Sequence, residues 1–206
     1  MSKSIQAPDR FFKTPFSPAY WRCAAGELSN IRILAVAALF MALDFVISSM
    51  FIPVGENLRI YFSFFVKALG CMIYGPVVGL VTGFAGDILG YFVHPNGAFF
   101  PGYTLTSMLS ALTYALFFYR TKITVLKIFC CKLFINVFIN IGLGSLWSAM
   151  QFGKGFYYYL AKSTVKNFLL LPLEVALLVL FFRMMLPVVE RMKLAPPRAE
   201  HRIPVI

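Results

Sequence analysis

At 206 residues the chain has the length of one domain. Hydrophobic residues make up 60 % and charged residues 13 %; a water-soluble protein is about half apolar and a quarter charged, so the composition is that of a polytopic membrane protein. The net charge of +11 calls for no nucleic-acid partner, because the basic residues gather in the two tails and one connecting loop, where membrane topology accounts for them.

Residues 1–29 mix Lys3, Arg10, Lys13 and Arg22 with Phe11, Phe12, Phe16, Tyr20 and Trp21. No apolar core of the length of a cleaved signal follows the first charges. An interfacial segment on the cytoplasmic leaflet is expected, with a loosely ordered tail as the alternative for residues 1–15. Six apolar spans follow, at about residues 31–52, 60–74, 77–93, 102–119, 125–150 and 156–186. A loop with Glu56, Asn57 and Arg59 follows Pro53, Gly75-Pro76 is a tight turn, and Pro172 is expected to kink or interrupt the last span. The sequence divides into an N-terminal segment 1–29, a membrane domain 30–187 and a basic tail 188–206. The fold expected is all-α, a six-helix membrane bundle. Lys and Arg concentrate in both tails and the 120–122 loop, against Arg59 and Lys154 in the opposite loops, which places both termini in the cytoplasm. No internal repeat stands out.

The densest signal runs from Gly75 to Thr104. Gly75, Gly79 and Gly83, then Gly86 and Gly90, recur every four residues and offer grooves for a neighbouring helix. Asp87 lies inside this apolar run and needs a cationic or donor partner; Lys67 on the preceding span is the expected one, and direct ligand recognition is the other reading. A turn, His94-Pro95-Asn96-Gly97, leads to Phe99, Phe100 and Pro101-Gly102 at the mouth of the next helix. On the fifth span Lys132, Asn136, Asn140 and Gly144 recur every four residues, with Trp147 near the outer end. On the sixth, Lys162 and Lys166 share one spacing and Ser163, Asn167 and Glu174 another. Tyr103, Ser107, Ala111 and Tyr114 align on the fourth. Such stripes either glue helices together or contact a ligand. Depth favours glue for Lys132 and Asn136, and contact for Asn140, Trp147 and Lys162.

The outer loops combine aromatics with cations, a chemistry suited to a planar anionic small molecule, although an interfacial aromatic belt accounts for Tyr157 to Tyr159. Cys23, Cys71, Cys130 and Cys131 read as small hydrophobes, not as a disulfide set or metal ligands. There is no HExxH, nucleophile elbow, Walker A loop or Cys/His cluster, so neither an enzyme nor a resident cofactor or metal is expected.

Several stretches together resemble the substrate-binding (S) component of an energy-coupling factor (ECF) vitamin transporter, and its folate-specific member in particular. They are LAVAALFMAL, NLRIYFSFFVKAL, YGPVVGLVTGFAGDILGYFV, FFPGYTLTSML and KLFINVFINIGLGSLW, within residues 30–175. The resemblance implies a multi-pass protein of a prokaryotic cell membrane that binds folate or a related vitamin tightly. It also implies docking onto a membrane scaffold (T) subunit with two ATPase subunits. Depth and facing, not the resemblance, give the expected ligand contacts: Arg59, Phe62, Asp87, Tyr91, Phe99, Phe100, Tyr103, Asn140, Trp147, Lys162 and Lys166. On the first span Ala35, Ala38 and Ala42 share a smooth face opposite Asp44. A carboxylate turns inward, so Ala38 and Ala42 are expected to face a partner helix. The rival readings are an S component for another vitamin or nucleoside-like precursor, and a stand-alone proton-coupled transporter with Asp44, Asp87 and Glu174 as its relay.

Overall fold

The computed structural model describes residues 17–48, 51–55, 58–93, 99–153, 155–194, 196 and 204, with the backbone alone for 51–55 and 58–61. A short helix α1 (Pro18–Gly26) and a 3-10 turn (Glu27–Ser29) precede α2 (Ile31–Ser48). Strands β1 (Phe51–Gly55) and β2 (Leu58–Tyr61) follow, then α3 (Ser63–Val93) and α4 (Pro101–Phe118). One rod is built from α5 (Val125–Phe134), a π-helical segment (Ile135–Leu143) and α6 (Gly144–Phe152), and α7 (Phe156–Arg191) closes the bundle. Four stretches, Ile31–Ser48, Ser63–Val93, Val125–Phe152 and Phe156–Arg191, are long and apolar enough to cross a membrane.

The helix α3 is two arms. Gly75 adopts φ 77° and ψ −177°, a conformation open essentially to glycine alone, and Pro76 follows it. A Cβ at Gly79 would lie 3.6 Å from the Cys71 sulfur. In a straight helix residues eight apart stand about 12 Å apart along the axis, so the arms fold back on each other. The first arm, 63–74, is too short to cross the hydrocarbon by itself and is almost wholly buried. The second packs tightly on α4, where a Cβ at Gly83 would meet the Met108 Cα at 3.0 Å. Thus α3 is the centre of the bundle: 72 % of its most apolar window is buried, against 11 % for α2. The core gathers Ala37 of α2, Leu69 and Ile73 of α3, Tyr114 and Phe118 of α4, Ile128 and Ile139 of the π-containing rod, and Leu178 and Phe182 of α7.

Two expectations need correction. The 53–60 stretch is not an open loop: β1 and β2 pair antiparallel, with Phe51 opposite Tyr61 and Ile52 opposite Ile60. Within the spans, α7 stays helical through Pro172 and Pro187, so neither proline interrupts it; membrane helices absorb prolines where neighbours meet the freed backbone groups. The segment before the first span is docked as well as amphipathic. Tyr20 and Ala24 are fully buried, and the Tyr20 hydroxyl donates to the Ala115 carbonyl at 3.1 Å. Burial raises the pKa of Tyr20 above the ordinary phenol value, so it stays a protonated donor. Tyr119 and Arg120 donate to Glu27 at 3.2 and 3.1 Å, a buried pair that clamps α1 beside the Gly75 turn.

Candidate functional site

A cleft of about 580 Å³ opens between the first arm of α3, α4, the π-containing rod and α7, within the size range of small-molecule pockets. Along α4 its wall runs from Tyr103 to Tyr114, eleven residues or roughly 16 Å of helix. Tyr103, Ser148 and Tyr159 stand at the mouth, and Tyr114, Lys132 and Glu174 at the closed end.

The floor is built from a polar stripe on the rod. On an α-helix four residues overshoot a full turn by about 40°. Lys132, Asn136, Asn140 and Gly144 would therefore drift off one line. The wider turns of the π segment return Asn136 and Asn140 to the same face. Lys132 is 2 % exposed; its ammonium meets Glu174 at 3.0 Å and the face of Phe64 at 4.4 Å. Asn136 donates to Glu174 at 3.1 Å, and Asn140 donates to the Asn136 Oδ1 at 3.1 Å and the Asn167 Oδ1 at 3.4 Å. Asn167 in turn donates to the Ser163 hydroxyl at 3.1 Å. A carboxylate and an ammonium taken out of water are tolerable only when paired and hydrogen-bonded, as these are.

Of the expected contacts, the structure brings Tyr103, Asn140, Lys162 and Lys166 onto the cleft wall. Phe62, Asp87, Tyr91, Phe99, Phe100 and Trp147 are not among its lining residues. Trp147 packs on Phe100 at 5.6 Å, its indole N–H donates to Thr106 at 3.1 Å, and a Cβ at Gly102 would sit 2.6 Å from its ring. Trp147 therefore seals the α4 mouth. Tyr91 meets Phe99 at 5.3 Å and Phe62 stacks on Phe65. Only the backbone of Arg59 is described, on β2, and His94, Asn96 and Lys154 lie outside the described residues.

Asp87 is not paired with Lys67. Asp87 accepts from the Thr104 hydroxyl at 2.6 Å, whereas Lys67, on the cleft wall, reaches Asp44 of α2 at 3.7 Å. The reason is the fold-back at Gly75, which turns the second arm's Asp87 toward α4 while the first arm's Lys67 faces α2. Asp44, Asp87 and Glu174 thus each have a different partner. Ala35, Ala38 and Ala42 are exposed, and Ile33 and Ala37 are the buried residues of α2.

Sequence reading left Ser63, Phe64, Thr106, Ser110, Ser145 and Ser148 out of the site. On α4 the spacing singled out Tyr103, Ser107, Ala111 and Tyr114 and passed over Thr106 and Ser110, because no local signal distinguishes a hydroxyl facing a cleft from one facing its own helix.

A family model described as the ECF transporter substrate-specific component matches residues 32–182. The chain is 26 % identical over 147 residues to a folate transporter FolT of Clostridium novyi (strain NT), covering 71 % of this chain and 86 % of that protein. It is 30 % identical over 155 residues to a folate transporter FolT of Leuconostoc mesenteroides subsp. mesenteroides, covering 72 % and 83 %. Among solved structures it resembles a crystal structure of FolT bound with folic acid, with a TM-score of 0.64, 27 % identity and coverage of 70 % and 89 %.

Proposed function

The chain belongs to the family of ECF transporter substrate-specific components, and from that premise we propose that it captures a folate outside the cell and delivers it inward. Delivery would need a membrane scaffold subunit and two ATPase subunits; the family is one of transporter components, not enzymes. The observation that carries the reading is the distribution of charge in the cleft, with Lys162 and Lys166 above and the Lys132–Glu174 pair at the closed end. A folate is long and flat, with a fused-ring amide edge at one end and a dianionic glutamate at the other. Lysines toward the mouth attract the carboxylates, and Glu174 at the floor accepts ring N–H groups. The likeness to proteins named FolT supports folate over other vitamins and over a nucleoside-like precursor.

Residues 26–32, the Gly75 turn, residues 119–125 and the end of α7 share one end of the bundle. Arg22, Arg32, Arg120, Lys122, Arg191 and Lys193 make that end basic, which supports a cytoplasmic placement of both termini and an outward-facing cleft. The exposed Ala38 and Ala42 form the surface on which the scaffold subunit docks, since small residues gain nothing from lipid and let a helix approach closely. A thermal-shift panel of vitamins on purified protein tests the reading. Folic acid at a hundred times its Kd should add about 2.7 kcal/mol of stability. A shift with another vitamin and none with folic acid would replace folate as the cargo, and no shift with any would remove the capture role.

A further inference from the structure

We infer that the Tyr114 hydroxyl is a specificity-determining contact for the ring end of the ligand, an inference that rests on the folate reading above. Tyr114 stands at the closed end of the cleft and is 2 % exposed. Its ring is held by stacking on Phe118 at 6.1 Å, and Phe118 meets Phe182 edge-on at 5.1 Å. The hydroxyl is therefore fixed in position. No protein group among the described residues is hydrogen-bonded to it, and the residue lines the cleft.

Several other polar groups of the wall have protein partners. Glu174 holds Lys132 and Asn136, Ser163 donates to the Asn140 carbonyl, Thr106 accepts from Trp147, and Ser148 donates to the Gly144 carbonyl. On the facing rod Ser145 is likewise 2 % exposed, with an Oγ that has no partner. Buried phenol and hydroxyl groups are rarely left without partners, because desolvating them unpaired is unfavourable. A phenylalanine would fill the same ring volume at Tyr114, so packing alone does not explain the oxygen. The chemistry that satisfies it is a planar heterocycle carrying a ring carbonyl or imine nitrogen next to an N–H. The acceptor receives a hydrogen bond from the Tyr114 hydroxyl while the neighbouring N–H donates to Glu174.

The test compares wild type with Tyr114→Phe as full-length protein, using folic acid and pteroic acid, which keeps the rings and benzoate but lacks the glutamate. Tyr114→Phe should lower affinity for both probes by the same factor, about tenfold, the effect of one hydrogen bond in a dry site. The unfolding temperature of the ligand-free variant should not fall, since the hydroxyl has no protein partner to lose. Lys162→Gln should weaken folic acid more than pteroic acid. Unchanged affinity for folic acid in Tyr114→Phe, or an effect confined to folic acid, would overturn the inference while leaving the folate reading intact. A lower ligand-free unfolding temperature would assign Tyr114 a structural role instead. Failure of wild type to bind folic acid removes the folate reading and this inference with it.

Discussion

At the scale of single residues, the decisive feature is the Lys132–Glu174 pair, because the Lys132 ammonium is buried and has Glu174 as its counter-ion. Glu174 keeps the Asn136 amide, but that neutral donor does not replace an ammonium at 3.0 Å. Removing one member of a buried pair costs about 3–5 kcal/mol, whereas replacing both with apolar groups of similar volume is often neutral. Lys132→Met should therefore lower the unfolding temperature of the ligand-free protein in detergent, and Lys132→Met with Glu174→Met should recover most of the loss. A single variant as stable as wild type would show that the pair contributes nothing to the fold. Trp147 calls for a related test. Its ring fills the space above Gly102 and its N–H is bonded to Thr106, so Trp147→Ala should destabilise the α4 mouth by about 3–5 kcal/mol. A loss of folic acid affinity with no loss of stability would instead make Trp147 a direct stacking surface.

At the scale of elements, the Gly75 break decides which helices are neighbours. It places the first arm of α3 under the cleft and the second against α4, and Tyr119 packs directly over the turn. A Cβ at Gly75 would lie 2.9 Å from the Tyr119 ring in a backbone conformation that L-residues avoid. Gly75→Ala should cost about 1–3 kcal/mol from the backbone, with overpacking adding to it. Gly86→Ala is the control, since its Cβ would make only an ordinary 3.8 Å contact with Met41. Equal unfolding temperatures for the two variants would mean that the turn tolerates a side chain.

At the scale of the whole molecule, the least buried span is α2, and its small-residue face looks outward. Ala38→Trp with Ala42→Trp should abolish co-purification with a scaffold subunit and abolish transport, while folic acid binding stays as in wild type. Lost binding would place that face in the bundle core, and retained transport would move docking elsewhere. Topology has its own check: an impermeant thiol reagent applied from outside should label a cysteine placed at Asn96 and miss one at Lys122. The reverse pattern would turn the bundle over.

Composition and periodicity alone determined the membrane class, the approximate positions of the helical segments, the turn at Gly75 and the stripe Lys132, Asn136, Asn140, Gly144. These are properties of one segment at a time, set by hydrophobic run length, glycine and proline chemistry and helical spacing. Partnership was not legible in the same way. Spacing showed that Asp87 and Lys67 each needed a partner, but only the fold-back of α3 decided that Thr104 meets the first and Asp44 the second. The same holds for the cleft: aromatics and cations near the outer loops pointed to Trp147, Phe99 and Phe100, yet these rings pack on one another or on neighbouring rings beside it. The wall combines the expected Tyr103, Asn140, Lys162 and Lys166 with hydroxyls from several helices, at positions whose facing is fixed by packing and, at Asn140, by a π-helical turn that no residue pattern announces. Helix spacing is local and written in the chain; which faces meet is settled by close packing and interhelical hydrogen bonding among all the helices at once.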